Sequence, residues 1–316
     1  MSGFDPWLIF TPVIALLIPL TVGAMMIWVE RRLLAVWQDR YGPNRVGIFG
    51  LLQVVADAIK MFFKEDWIPP FADRKVFILA PAIIISTILL GFALVPWSET
   101  FVVLDSSVGL LLFLALSSLG VYSIALAGWS SNNKYALLGS VRSVGQMLAY
   151  EVFMGMSLMG VVIKTSSFRL IDIVTDQKDL WNIFPQFLGF VIFFIAALAE
   201  THRLPFDLPE AESELVAGFH SEYSGLKFGM FFVGEYMGVT LMSAMITLLF
   251  FGGWHGPFLP PMLWFMIKTL LLTSIFILLR ASLPRPRIDQ LIAFSWKVLM
   301  PLSIVNLLGT ALVTLL

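Results

Sequence analysis

The sequence predicts an all-α, polytopic membrane protein with about eight transmembrane helices and one amphipathic helix at the membrane interface. Three observations carry this. Of 316 residues, 59% are hydrophobic and only 13% charged, about half the charge of a soluble domain. Apolar stretches run from end to end with no polar domain between them, so 1–316 reads as a single integral membrane domain. Nearly all the lysine and arginine falls on one side of those stretches.

Crossing the hydrocarbon core takes about 20 mostly apolar residues. Eight stretches qualify, near 7–29, 76–96, 108–129, 144–163, 183–200, 228–252, 262–281 and 292–315. Lipid offers no partner to an open sheet edge, so each is a helix. The first stretch follows an acidic residue and lacks a cleavage-like site of small residues, so it reads as a retained span. The loops on one side carry 15 basic residues, and the other side has Lys164, Arg169 and Lys178. By the positive-inside rule the basic side is cytoplasmic and both termini are external.

Between the first two spans, Leu51 to Lys64 is amphipathic. Leu51, Leu52, Val54, Val55, Ala58, Ile59, Phe62 and Phe63 recur at helical spacing, opposite Gln53, Asp57, Lys60 and Lys64. The segment is too short to span and suits the membrane interface, a partner protein, or both. The loop 201–227 is strongly acidic, with Asp207, Glu210, Glu212, Glu214 and Glu222. Apolar residues bracket those acids: Leu204, Pro205, Phe206, Leu208, Leu215, Val216 and Phe219. That mixture predicts a loop folded inward, where desolvation and mutual repulsion raise carboxyl pKa values.

Composition excludes several functions. A net charge of -1 argues against a nucleic-acid partner, and zero cysteines rule out disulfides and thiolate-held iron–sulfur clusters in this chain. Three scattered histidines do not make a metal or haem site. Some charges sit where lipid is expected. Glu151 and Glu235 each fall seven positions into a span, and a mid-span acid costs about 2.5–3.5 kcal/mol. A shared polar cavity accounts for both better than two isolated packing contacts. Glu235 also lies inside a Gly234–Gly238 GxxxG, a motif that is weak alone. Glu30 and Glu200 stand at span ends. Lys268 sits in an otherwise uncharged stretch, where a buried, paired state is favoured over snorkelling.

Several long strings then point the same way. They are Glu30-Arg-Arg, Arg40-Tyr-Gly-Pro-Asn-Arg-Val-Gly47, Ala56-Asp-Ala-Ile-Lys-Met-Phe-Phe-Lys-Glu-Asp66 and Gly128-Trp-Ser-Ser-Asn-Asn-Lys-Tyr135. Two more are Ala199-Glu-Thr-His-Arg-Leu-Pro-Phe-Asp-Leu-Pro-Glu-Ala-Glu-Ser-Glu-Leu215 and Arg280-Ala-Ser-Leu-Pro-Arg-Pro-Arg287. Together they resemble the quinone-site membrane subunit of proton-translocating NADH:quinone oxidoreductase, respiratory complex I. The wording is closest to the bacterial branch. Departures are small: Phe153 stands where proline is common, and His202 where asparagine is frequent.

The resemblance implies a subunit of the bacterial inner membrane that joins the hydrophilic arm to its membrane-arm neighbours. It implies a quinone substrate (ubiquinone or menaquinone), with flavin and iron–sulfur clusters in partner subunits. The matching quinone-chamber residues are Glu30, Arg31, Arg32, Arg45, Asp57, Phe62, Arg203 and Phe206. The matching proton-coupling acids are Glu151, Glu200, Asp207, Glu210, Glu212, Glu214, Glu222 and Glu235, to which the reading of lone charges adds Lys268. The rivals are a related hydrogenase subunit, a stand-alone cation/proton transporter and a plain membrane anchor. Against the transporter stands the lack of an internal repeat, and against the anchor the expense of intramembrane acids.

Overall fold

The computed structural model describes residues 7–208 and 212–315, with side chains described from residue 17 onward except at 212 and 213. The helices are α1 (Trp7–Trp37), α2 (Gln53–Phe63), α3 (Arg74–Leu94), α4 (Gly109–Ser130), α5 (Lys134–Thr165), α6 (Leu170–Asp176) and α7 (Phe187–Glu200). They continue with the single turn α8 (Glu212–Leu215), then α9 (Gly225–Phe250), α10 (Pro261–Ser282) and α11 (Ile288–Leu315), the last carrying a π-helical turn at Ser295–Leu299. No strand occurs among the described residues.

Helices α3, α4, α5, α9, α10 and α11 are each long and apolar enough to cross a membrane. Helix α1, with 31 residues, covers the first expected span. Two boundaries differ from the expectation. Helix α1 runs eight residues past Val29, and α5 begins at Lys134 rather than near 144. Lys, Arg, Gln and Glu are good helix formers, so a helix does not stop where its apolar run stops. Glu30 is therefore inside a helix. Glu151 lies 17 residues into α5 and Glu235 ten into α9, so the equal count of seven does not hold.

The fifth stretch also differs. Helix α7 has 14 residues, about 21 Å at 1.5 Å per residue, less than the ~30 Å core. Beyond its outer end one more helical bond, Gln186 N to Asn182 O at 2.8 Å, leads into a segment anchored by side-chain amides. Asn182 Nδ2 donates to Leu249 O at 3.0 Å, Gln177 Nε2 donates to Leu248 O at 2.7 Å, and Gln177 Oε1 accepts from Gly252 N at 3.0 Å. All these groups are buried, and each backbone polar group left free there would cost several kcal/mol.

Helix α9 is the hub, packed against α1, α3, α7 and α10, with Val239–Phe250 wholly buried. Phe113, Phe153, Phe193, Phe250, Phe265 and Phe276 fill the interior around it. The outer face of α11 (Val305, Leu308, Leu312, Val313) stays exposed, as a lipid-facing stripe does. Asp73 Oδ1 caps α3 by accepting from Lys75 N at 3.2 Å, and Asn133 Oδ1 caps α5 by accepting from Tyr135 N at 2.9 Å.

The loop after α7 folds inward, as its composition predicts. Phe206, Leu208, Leu215 and Phe219 are buried, although Val216 is exposed. Gln146 of α5 pins its start, with Nε2 donating to Ala199 O at 2.8 Å and to Phe206 O at 2.9 Å. Tyr223 pins its end. Pro81 has no N–H to give Phe77 O, four residues earlier in α3. The Tyr223 hydroxyl donates to that carbonyl at 3.2 Å, and its ring stacks on Phe77 with centroids 4.0 Å apart. Between these points Gly139 lets the backbone through, since a Cβ there would lie 2.8 Å from Gly218 Cα.

Candidate functional site

The inward loop brings its first charged residues against α1, α9 and α10. Arg203, 5% exposed, sits at the centre. Its Nε donates to Glu235 Oε1 at 3.0 Å, its Nη1 lies 3.5 Å from Glu30 Oε2, and its guanidinium covers the Tyr236 ring at 4.3 Å. The other Glu30 oxygen is ion-paired with Arg280. Asp207 Oδ2 accepts from Arg285 Nη2 at 2.9 Å. Three carboxylates (Glu30, Asp207, Glu235) thus meet three guanidiniums (Arg203, Arg280, Arg285), which leaves the cluster without net charge. Separate burial of these ions would be prohibitive, while pairing repays much of the desolvation cost.

Two acids continue the cluster without such compensation. Glu200, at the end of α7, lies within electrostatic reach of Glu151 on α5. Glu200 Oε2 and Glu151 Oε1 are buried and have no hydrogen-bond partner among the described residues. Glu151 faces Ser118 of α4. Glu200, His202, His220, Glu235 and Arg280 share the wall of a cavity of about 300 Å³ between α3, α4 and α9. The rest of its wall is mostly apolar, including Ile84, Ile88, Phe113, Phe231 and Phe232.

Electrostatics in the loop follow from burial. Desolvation pushes the Asp207 carboxyl up to about 6, against the opposing pull of Arg285, with Glu235 adding to the rise. Burial, and then Arg203, lower His202 to about 4. Burial alone lowers His220 to about 4. Both imidazoles are neutral near pH 7, and His202 Nε2 lies 3.3 Å from Ser143 Oγ. An aspartate poised near 6 can exchange a proton at modest free-energy cost near neutral pH.

The remaining sequence-predicted residues fall into two groups. Near the network, Arg31 Nη1 donates to Asp57 Oδ2 at 3.0 Å, joining α1 to α2. Burial pushes the Asp57 carboxyl up, but Gln53, Arg31 and Lys60 together hold it below the usual aspartate value. Arg32 donates to Pro43 O at 3.2 Å and covers Phe49. Arg45 is exposed on the loop between α1 and α2, and Phe62 is exposed on α2. Phe206 packs its edge on Tyr150 at 5.1 Å.

The others are not drawn in. Glu214 is exposed and salt-bridged to Arg142 at 2.7 Å, which holds its carboxyl below the usual range. Glu222 accepts from Asn133 Nδ2 at 2.6 Å. Glu210 and the Glu212 side chain lie outside the described residues. Lys268 is paired, but among the described residues its partners are backbone carbonyls and no carboxylate. Its ammonium donates to Phe251 O, Gly253 O and His255 O at 2.8, 3.1 and 2.7 Å, and lies 4.6 Å from the Trp181 ring. From Glu235 to Phe251 the chain rises about 24 Å, so Lys268 belongs to the opposite end of α9.

Four contributors to the site escape a reading of the sequence. Arg280 and Arg285 register there only as topology signals, although both lie in the string Arg280–Arg287. Gln146 and Tyr223 carry no charge, and their roles depend on backbone carbonyls distant in sequence. An arginine closing an apolar span, as Arg280 closes α10, is the available signal.

Comparison with known proteins identifies the family. The family model for NADH dehydrogenase matches residues 10–311. A subunit of NADH-quinone oxidoreductase from Methylococcus capsulatus is 61% identical over 301 residues, covering 95% of each chain. Matched across nearly its whole length, the chain belongs to the NADH dehydrogenase family, as a membrane subunit of NADH-quinone oxidoreductase.

Proposed function

We propose that the chain forms the membrane end of the quinone chamber and couples quinone reduction to proton translocation through its buried carboxylates. The observation that carries this reading is the set of buried acids on both sides of one cavity: Glu235, in the charge-balanced cluster with Asp207, and Glu200, which faces Glu151. Reducing a quinone to its quinol takes two electrons and two protons. The electrons reach it from NADH through flavin and iron–sulfur centres in partner subunits. Protons drawn from the Asp207 end change the charge facing Glu235. The Glu30–Arg203–Glu235 pairing transmits that change, because Arg203 serves both acids. Glu200 and Glu151, with no guanidinium to hold them ionised, respond by taking up or releasing a proton.

The exposed apolar side of α2, with Val55, Ile59, Phe62 and Phe63, gives a tail-bearing quinone a portal at the membrane surface. Glu30, Arg31, Arg32, Asp57, Arg203 and Phe206 line the polar route for its head. The basic loops, Arg45 among them, dock the hydrophilic arm, and lipid-exposed helices meet the neighbouring membrane-arm subunits. The excess of basic residues on that face supports a cytoplasmic orientation for it in a bacterium, with both termini periplasmic.

Glu151→Gln and Glu235→Gln test the relay in the assembled enzyme. We expect quinone-linked proton pumping to fall at least tenfold in the double variant, while NADH oxidation by an artificial acceptor stays at wild-type level. Undiminished pumping in a fully assembled double variant would sink the relay.

A further inference from the structure

Helix α2 presents a mechanical problem. None of its residues is buried, and Val55, Ile59, Phe62 and Phe63 point away from the rest of the chain. Its apolar face is therefore not what fixes it to the body. One attachment is the Arg31–Asp57 pair, whose arginine is largely exposed, and such pairs are worth little. The other attachment lies three residues past the end of α2 and has its cation inside, with its acid half-exposed. Lys227, in the first turn of α9, is buried, and its ammonium reaches both oxygens of Asp66 at 2.5 and 2.6 Å. It also lies over the Phe77 ring at 5.8 Å.

The surrounding backbone is shaped for this contact. A Cβ at Gly225, whose φ is +56°, would stand 3.3 Å from Lys64 O. A Cβ at Gly229, one turn on, would stand 2.9 Å from Met61 Sδ. Two glycines flanking one buried lysine let the end of α2 seat directly on α9. About 12 Å further along α9, at 1.5 Å per residue, Glu235 enters the Arg203 network.

We propose that Lys227 and Asp66 are a positioning pair that clamps α2 to α9 and sets the width of the quinone portal. The proposal rests on the quinone reading above. The pair touches no reacting atom. It fixes the wall past which a long isoprenoid tail must slide, so its loss acts on substrates with tails more than on those without.

The test uses the assembled enzyme with quinones of long and short tail. For Lys227→Met and Asp66→Asn we expect KM for the long-tailed quinone to rise roughly fivefold, the scale of one partly exposed ion pair. KM for the short-tailed quinone and kcat with either should stay within about twofold. Exchanging the charges, Lys227→Asp with Asp66→Lys, should recover most of the loss. Asp66→Asn, at a half-exposed position, serves if Lys227→Met does not accumulate.

A second measurement separates clamping from any direct effect of the charge. The chain has no cysteine, and the Met61 and Gly229 Cβ positions are 4.0 Å apart, within disulfide range. Met61→Cys with Gly229→Cys, oxidised in the Lys227→Met background, should restore the long-tail KM. Reduction should abolish that rescue. An unchanged KM in the single variants, or an equal rise for both tail lengths, overturns the clamp. A photoreactive long-tailed quinone tells failure of the clamp from failure of the quinone reading. If it labels α1, α2 or α9 while KM stays unchanged, the clamp alone fails. If it labels nothing in this chain, the quinone reading fails with it.

Discussion

The two ends of α9 meet the same difficulty, an ionised group inside a membrane protein, in opposite ways. In its first half, Glu235 joins an alternating cluster of acids and guanidiniums, in which Arg203 is shared between Glu235 and Glu30. Just past its far end, Lys268 of α10 is satisfied by three backbone carbonyls and an aromatic ring. Carbonyl dipoles cannot take the proton that the Lys268 ammonium carries, so we read this site as a structural joint. A network of carboxylates can redistribute protons, so the Arg203 site can change state. Under the proposed relay, mechanism belongs to the Arg203 site and architecture to the Lys268 site.

The largest effect expected to break this comparison comes from Arg203→Met. It strands two acids, and removing one partner of a buried pair costs about 3–5 kcal/mol. The assembled complex should become scarce and melt several degrees lower in detergent. Arg203→Lys, which keeps the charge without the fork, should recover part of the stability. A variant that assembles and melts like the wild type would show that the network is not holding the loop. Lys268→Met should cost less, about 1–3 kcal/mol for carbonyls deprived of a donor. Protons pumped per NADH should not change in the molecules that fold. A reduced pumping ratio there would move Lys268 into the relay and erase the contrast between the two ends.

The smallest effect concerns His202. Its folded pKa of about 4 lies below the ordinary imidazole value, so between those values the unfolded chain binds more protons. Stability is complete above about pH 6.5 and declines as pH falls toward 4. His202→Gln should flatten that slope, seen as a smaller difference in melting temperature between about pH 7 and pH 5. An unaltered slope would mean that His202 is not desolvated by the folded loop.

How much of this is legible in the sequence varies by residue. Spans announce themselves because lipid forces long apolar runs, and Glu151 and Glu235 stand out because they interrupt such runs. The inward fold of 201–227 is legible from apolar residues among acids. Partnership is not. Arg280 and Arg285 count equally as topology markers and as counter-ions, and no tally of basic residues separates the two uses. Lys268 is expected to find a carboxylate because a sequence writes side chains, while its real partners are carbonyls that every residue has. The Tyr223–Phe77 bond follows from Pro81 only once the fold brings residues 146 positions apart together.

The shortness of α7 reaches beyond packing. Glu200 is the last residue of a 14-residue helix whose outer end is fastened by Gln177 and Asn182 and whose inner end is fastened by Gln146. With both ends tied, the acid's position is a matter of counting. One inserted residue would turn its carboxyl by about 100° and shift it by about 1.5 Å, out of line with Glu151. Over this stretch, the number of residues is constrained as well as their identity. The segment cannot change length and keep its acid in line.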